Sequence, residues 1–214
     1  VSFGFGHQVE CAMDEGPSFK FFIPANGDLG QTWTDASFDD TVWDEGFGGI
    51  GFDGNSSRVL TPLIDTEIAS KMRTKNSSIY IRYRIEIKEP NALMQLQIRY
   101  DDGFILYLNG KELVRRNAPT RATWNARSTS ARIDGDELVP EQMTFTAKDG
   151  LKMGENILAI HGLNTRSTDR DFLFKMEPQL WFGLGAVGKT PGYTFHASPG
   201  APNARVFSKT LNNP

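Results

Sequence analysis

The chain has one cysteine, Cys11, among 214 residues, so no disulfide can form within it and a disulfide-stapled scaffold is excluded. No Cys/His cluster accompanies Cys11, which leaves a packed or partly exposed thiol compatible with a cytosolic or a bacterial secreted protein. Histidine is scarce as well: His7, His161 and His196 lie in three distant contexts, with neither a Gly-x-Ser-x-Gly elbow nor a His-Glu-x-x-His pair. No run approaches the roughly 18 apolar residues that span a bilayer. Val1 opens without a charged n-region and an apolar h-region. The expectation is a soluble chain with no membrane insertion. A basic excess is also missing, since the net charge is −3, and this argues against a nucleic-acid backbone as partner.

What is present describes a globular protein: 39% hydrophobic and 23% charged residues, in a length that buries a sizeable core as one domain. The central stretch is Arg99 to Arg115, which holds two turn signals, Asp101-Asp102-Gly103 and Asn109-Gly110, around an apolar run. Asn-Gly tolerates positive φ at both central turn positions, so this stretch predicts a β-hairpin entered by a strand from Leu93. In Tyr80 to Ile87, Ile81, Tyr83, Ile85 and Ile87 share one face and Arg82, Arg84 and Glu86 the other, the period-2 pattern of a half-buried strand. Met94, Leu96, Ile98 and Tyr100 repeat the pattern, with Pro90-Asn91 as the intervening turn.

Further strands are expected at Ser18–Pro24, Met143–Ala147, Asn156–Leu163 and Phe172–Phe182. Trp33 to Phe52, rich in Asp, Gly and aromatics, reads as a long ordered loop, and Thr61 to Arg73 as a short helix. Asn117 to Glu141, containing Pro119, Trp124 and Asp134-Gly135-Asp136, is a polar excursion longer than a connection needs, a type of loop that is often functional. Two Asn-Ser-Ser sequons, at Asn55 and Asn76, matter only in a eukaryotic secretory pathway. Many short strands with at most one or two short helices make an all-β sandwich the expected fold. Residues 1–182 would form it, and residues 183–214, rich in Gly, Pro and Asn, a C-terminal extension or linker.

The motif order carries a resemblance. Asp101-Asp102-Gly103 with Tyr107-Leu108-Asn109-Gly110-Lys111-Glu112-Leu113, followed by Gly154-Glu155-Asn156-Ile157-Leu158-Ala159-Ile160-His161-Gly162-Leu163-Asn164, resembles the galactose-binding-like jelly-roll modules of large secreted bacterial proteins. Such modules occur beside lamin-tail, CotH-type kinase-like and glycoside hydrolase domains. Trp33-Thr34, Phe38-Asp39-Asp40, Trp43, Gly49-Ile50-Gly51-Phe52, Tyr80-Ile81-Arg82 and Ser198-Pro199-Gly200-Ala201-Pro202-Asn203 fit the same pattern. The resemblance spans about Ser2 to Asn203 and specifies the fold more than a ligand. It implies a secreted or cell-surface, non-catalytic carbohydrate-binding module that targets a bacterial multidomain protein to polysaccharide. The rival is a structural or interaction module with no sugar site, which spaces or docks neighbouring domains.

Shallow sugar sites set an aromatic ring against the apolar face of a pyranose and hydrogen-bond its hydroxyls with carboxylates, amides and Arg. The inferred loops offer Trp124 and Asn125 with Arg115, Arg116 and Asn117, and Asn164, Arg166, Asp169 and Asp171. The resemblance implies that Trp33 and Trp43 are core pins instead, and His161, alternating with Ala159 in a strand, is expected as a hydrogen-bonded sandwich residue. Adjacent carboxylates in a turn supply the hard oxygen ligands that Ca²⁺ prefers, so Asp101 and Asp102 are candidate calcium ligands, as in lectin domains where paired aspartates hold sugar-bridging calcium. The alternative is that Asp and Gly simply make the turn and bind its amides. Calcium around Asp39, Asp40 and Asp44 is a further option, since galactose-binding-like folds commonly carry a structural calcium. Asp39/Asp40 or Asp169/Asp171 would serve as a glycosidase dyad only at a suitable spatial separation.

Overall fold

The computed structural model describes residues 7–9, 18–88, 92–133 and 135–182. Cys11, the Pro90-Asn91 turn, Asp134, His196, the Ser198–Asn203 motif and the extension from 183 lie outside that set. Two antiparallel-dominated sheets face each other as an all-β sandwich. The first is built from β1 (His7–Val9), β4 (Gly49–Asp53), β5 (Thr66–Glu67), β7 (Leu93–Asp101), β10 (Glu141–Phe145) and β12 (Asp171–Phe182), in the order β10-β7-β12-β4-β5 with β1 also on β12. The second has the order β3-β2-β6-β11-β8-β9, from β2 (Ser18–Phe22), β3 (Asp44–Phe47), β6 (Ser78–Ile87), β8 (Gly103–Leu108), β9 (Lys111–Arg116) and β11 (Gly154–Leu163).

The alternation read from the sequence places the main core between the sheets. Ile81, Tyr83, Ile85 and Ile87 of β6, with Phe104, Leu106 and Leu108 of β8, face Met94, Leu96 and Ile98 of β7 and Phe172, Phe174 and Met176 of β12. The Asn109-Gly110 hairpin forms as expected, both residues at positive φ (51° and 88°). Its Asn109 Oδ1 accepts the Ile157 amide at 2.9 Å and its Nδ2 donates to Asn156 Oδ1 at 3.0 Å. The two most distinctive stretches of the sequence, Leu-Asn-Gly and Gly-Glu-Asn, are therefore one hydrogen-bonded corner.

Asp101-Asp102-Gly103 is not a turn within one sheet. It carries the chain from β7 in the first sheet to β8 in the second. Two other expectations also change. The glycine-rich stretch before Phe52 holds β3 and β4 rather than loop alone: a Cβ on Gly51 would lie 2.0 Å from the Phe172 carbonyl oxygen, so the glycine lets β12 come this close. Thr61–Arg73 holds only one α-helical turn, α1 (Ala69–Met72), preceded by a 3₁₀ turn at Thr61–Leu63 and by β5, which pairs parallel with β4. Ile68 and Met72, both 0% exposed, are four residues apart and anchor that turn in the core, which produced the helix-like spacing.

The outer face of the second sheet is not left to water near its centre. Residues 29–43 and 118–126 cross it and form a second apolar cluster with Trp33, Trp43, Tyr80, Ile105, Tyr107 and Ile157. Trp33 stacks on Tyr80 at 4.0 Å between centroids, so both tryptophans are core pins as expected. The pattern fails at Arg82, expected on the solvent face and instead buried with a side chain 0% exposed. Its guanidinium pairs with Asp40 at 2.7 Å and donates to the Trp33, Asp35 and Phe38 carbonyl oxygens. Arg84, two residues on, also reaches Asp40 but lies past the covering segment and is 44% exposed.

Breaking a buried pair by removing one partner leaves an uncompensated charge. Arg82→Leu should cost roughly 3–5 kcal/mol. Urea unfolding followed by tryptophan emission checks this, with a native-state red shift as the segment over Trp33 loosens; a loss below about 1 kcal/mol would show that the covering segment holds without the pair.

Candidate functional site

At one end of the sandwich β2, β6, β11, β8, β9, β7, β12 and β4 all start or finish, and their connections interlock. The carboxylate of Asp102, 5% exposed, ties two of them: Oδ1 accepts the Arg132 amide at 3.0 Å and Oδ2 the Thr165 amide at 2.9 Å. The Asp102 carbonyl accepts from Asn117 Nδ2 at 3.0 Å, and Asn117 itself sits at φ 46° as the chain turns out of β9. Asp53 plays the same part opposite, taking the Asn55, Leu60 and Thr61 amides at 2.9–3.1 Å and closing residues 54–61.

Asp101 differs. Burial, then the charges of Asp102 and Asp171, push its carboxyl well above the usual carboxylate range, with a hydrogen bond to Asp102 and the charge of Glu137 acting the same way. Asp101 is thus the proton-holding member of a group of acids at the sheet-to-sheet crossing. Among the described residues no three His, Cys, Asp or Glu side chains are grouped so as to hold a metal ion.

The other candidates divide into anchors and exposed groups. Asn164, 2% exposed, donates to the Asp171 carbonyl at 2.7 Å, and its own carbonyl accepts the Ser128 amide at 3.0 Å. The Asp171 carboxylate accepts from Asn55 Nδ2. Asp169 accepts from the Thr165 hydroxyl and from the Arg170 amide, and Arg166 lies 3.6 Å from it with 66% of its side chain exposed. Arg115 is committed to both Glu112 oxygens at 2.9 and 2.7 Å and to the Pro119 carbonyl. Arg116 pairs with Glu141, joining edge strand β9 of one sheet to edge strand β10 of the other.

Trp124 is partly exposed, and a Cβ on Gly27 would lie 3.1 Å from its ring. Its ring belongs to neither apolar cluster. What holds its loop in place is Asn76-Ser77-Ser78, which the sequence shows only as a sequon. Asn76, 4% exposed, donates to the Pro24 and Trp124 carbonyls at 2.6 and 3.2 Å, and Ser77 and Ser78 donate to the Ala126 carbonyl, each at 2.9 Å. An Asn buried in this way is no glycan acceptor in the folded chain. The sequon at Asn55 is partly buried and bonded to Asp171.

His161, 1% exposed, is the hydrogen-bonded sandwich residue expected of it. Ser78 gives its proton to Ala126, so its oxygen accepts from His161 Nε2 at 2.9 Å. Burial and the charge of Arg115 push the imidazole down to about 3, leaving it neutral. An open cleft of about 420 Å³ on the outer face, walled by Lys20, Asp40, Glu45, Phe47 and Arg84, has its charges already matched, Lys20 to Glu45 and Arg84 to Asp40.

No protein-family model matches the chain, and no curated protein matches its sequence. Solved structures do. β-Glucuronidase 2 of Bacteroides uniformis, bound to cyclophellitol-6-carboxylate aziridine, is 11% identical and aligns over 80% of this chain and 18% of that one, with a TM-score of 0.43. The β-glucuronidase of an uncultured Clostridium sp. is 12% identical over 77% and 23% of the two chains, TM-score 0.41. A glycosyl hydrolase family 2 member of Bacteroides cellulosilyticus is 14% identical over 75% and 20%, TM-score 0.40. The chain thus spans 18–23% of the length of these structures.

Hydrogen bonds to a charged acceptor are worth about 1.5–3 kcal/mol each. Asp102→Ala should therefore destabilise by about 3 kcal/mol or more and speed amide exchange at Arg132 and Thr165 while β6 and β11 stay protected. Unchanged exchange at both amides would mean the two loops are held by other contacts.

Proposed function

We propose that this sandwich is a non-catalytic carbohydrate-binding module of a secreted bacterial multidomain protein, with its loop end as the polysaccharide-facing surface. The observation that carries the proposal is the convergence at that end of a partly exposed Trp124 ring, the exposed Asn125 and the exposed Arg166, on loops held rigid by buried Asp102, Asn76 and Asn164. A ring with one side on Gly27 and no partner ring is a platform for a pyranose face, and fixed loops spare the binding step an ordering cost. The non-catalytic reading is supported by the engagement of the groups best suited to acid–base work: His161 is buried against Ser78, and Asp169 and Asp171 accept from Thr165 and Asn55.

A calcium ion belongs to the same proposal. Asp101 is buried beside Asp102, with the charges of Asp171 and Glu137 also acting on it, and hard oxygens are what Ca²⁺ takes. Asp101 and Asp102 would supply the carboxylates, and carbonyls and water the remaining positions of a six- to eight-oxygen shell. Binding there would expel the Asp101 proton. The rival, a module that docks neighbouring domains, has one observation in its favour: Ile133, Leu138 and Val139, 74%, 42% and 65% exposed, lie together on one short turn.

Affinity electrophoresis through soluble polysaccharides separates the two. Retention by a polysaccharide that Trp124→Ala reduces at least about tenfold is expected, an aromatic platform being worth roughly 1–3 kcal/mol; retention unaltered by Trp124→Ala places the platform elsewhere, and none on any polymer favours the docking module. Calorimetric titration with Ca²⁺ should release heat that Asp101→Asn and Asp102→Asn together abolish, with proton uptake by the buffer; an equal signal in the double variant removes this metal site.

A further inference from the structure

The loop end carries an electrostatic feature that sugar binding in general does not require. Arg58, Arg121, Arg127, Arg166 and Arg170 are all exposed there, from three connections. Among the described residues nothing accepts a hydrogen bond from, or pairs with, the guanidiniums of Arg58, Arg121, Arg127 and Arg170, and Arg166 has only Asp169 at 3.6 Å. Elsewhere the described arginines are engaged, as Arg82, Arg84, Arg115 and Arg116 are with Asp40, Glu112 and Glu141. The three connections are contiguous: the Gly54 amide meets the Arg170 carbonyl at 2.7 Å, and the Ser128 amide meets the Asn164 carbonyl at 3.0 Å. In a chain of net charge −3, the described arginines left without a partner thus all stand on one rigid rim.

We infer that the polysaccharide taken by this end is anionic, a polymer of carboxylated or sulfated sugars whose charges pair with Arg58, Arg127, Arg166 and Arg170 while a ring rests on Trp124. This rests on the carbohydrate reading above and narrows it. A guanidinium presents two parallel N–H donors that match the two oxygens of a carboxylate or sulfate, and repeated charges along a polymer engage several arginines at once. A nucleic acid shares the negative charge, but the net negative chain argues against it.

The test measures binding of the whole chain to polygalacturonate, to chondroitin sulfate, to a neutral β-glucan and to single-stranded DNA, at about 50 and about 200 mM NaCl. Tighter binding to one of the two anionic polysaccharides than to the β-glucan, weakened roughly tenfold or more by the added salt, is expected. The triple variant Arg58→Gln/Arg127→Gln/Arg170→Gln should lower that affinity at least about tenfold at an unchanged melting temperature, because these exposed guanidiniums make no hydrogen bond or ion pair with the described residues. Which of the two polymers binds separates carboxylate from sulfate. Retention by the β-glucan with no preference for charge, indifferent to salt and to the triple variant, overturns the anionic inference and leaves the carbohydrate proposal standing. Tighter binding to DNA overturns it in favour of a nucleic acid, and binding to none of the four removes inference and proposal together.

Discussion

One buried charge organises the outer half of this molecule. Arg82 stands mid-strand on β6, on the face away from the main core, and its five N–H donors need acceptors once water is excluded. Asp40 and the carbonyls of Trp33, Asp35 and Phe38 provide them, which fixes the covering segment in one conformation. With that segment in place, Trp33 can lie flat on Tyr80 and an aromatic layer closes over the sheet. The sandwich is thereby three layers deep on one side, and neutral His161 is sealed beneath Trp33 and Tyr80.

The same device recurs at the loop end with the sign reversed. There Asp102 accepts backbone amides from two segments far away in sequence and Asp53 from its own loop, while Asn76 and Asn164 donate their side-chain N–H groups to the Pro24, Trp124 and Asp171 carbonyls. A long polar connection such as Asn117 to Glu141 would be mobile if only its ends were fixed. Here it is tied at Asn117, Trp124, Ala126, Ser128, Thr129 and Arg132. Rigidity of this kind suits a surface that binds a flexible polymer, because the loop entropy is lost in folding and not again in binding.

Several aspartates that look like ligands from their chemistry are holders of loops. Asp40 is buried between two arginines, Asp44 pairs with Lys71 at 2.7 Å, and Asp39 accepts the Thr41 amide at 3.0 Å. Arg115 and Arg116, read from the sequence as groups facing sugar, are spent on Glu112 and Glu141. The exposed arginines of the rim, only one of which stood out in the sequence, are the ones left with donors to offer.

The sequence by itself determined the strands with strict alternation, the Asn109-Gly110 hairpin and the two-layer class, because period-2 burial and positive-φ turns are written in adjacent residues. The family resemblance, rather than any local pattern, implied Trp33 and Trp43 as pins. It misjudged β3, β4 and the 61–73 segment, where glycine meets a neighbouring backbone and where two core contacts four residues apart imitate a helix. Which sheet each strand joins, that Arg82 is inside, that Asn76-Ser77-Ser78 staples the Trp124 loop and that Asp102 ties Arg132 to Thr165 were decided only by tertiary structure. Those pairings join residues 30 to 63 positions apart, and no local pattern can encode a partner that arrives only when the sheets close.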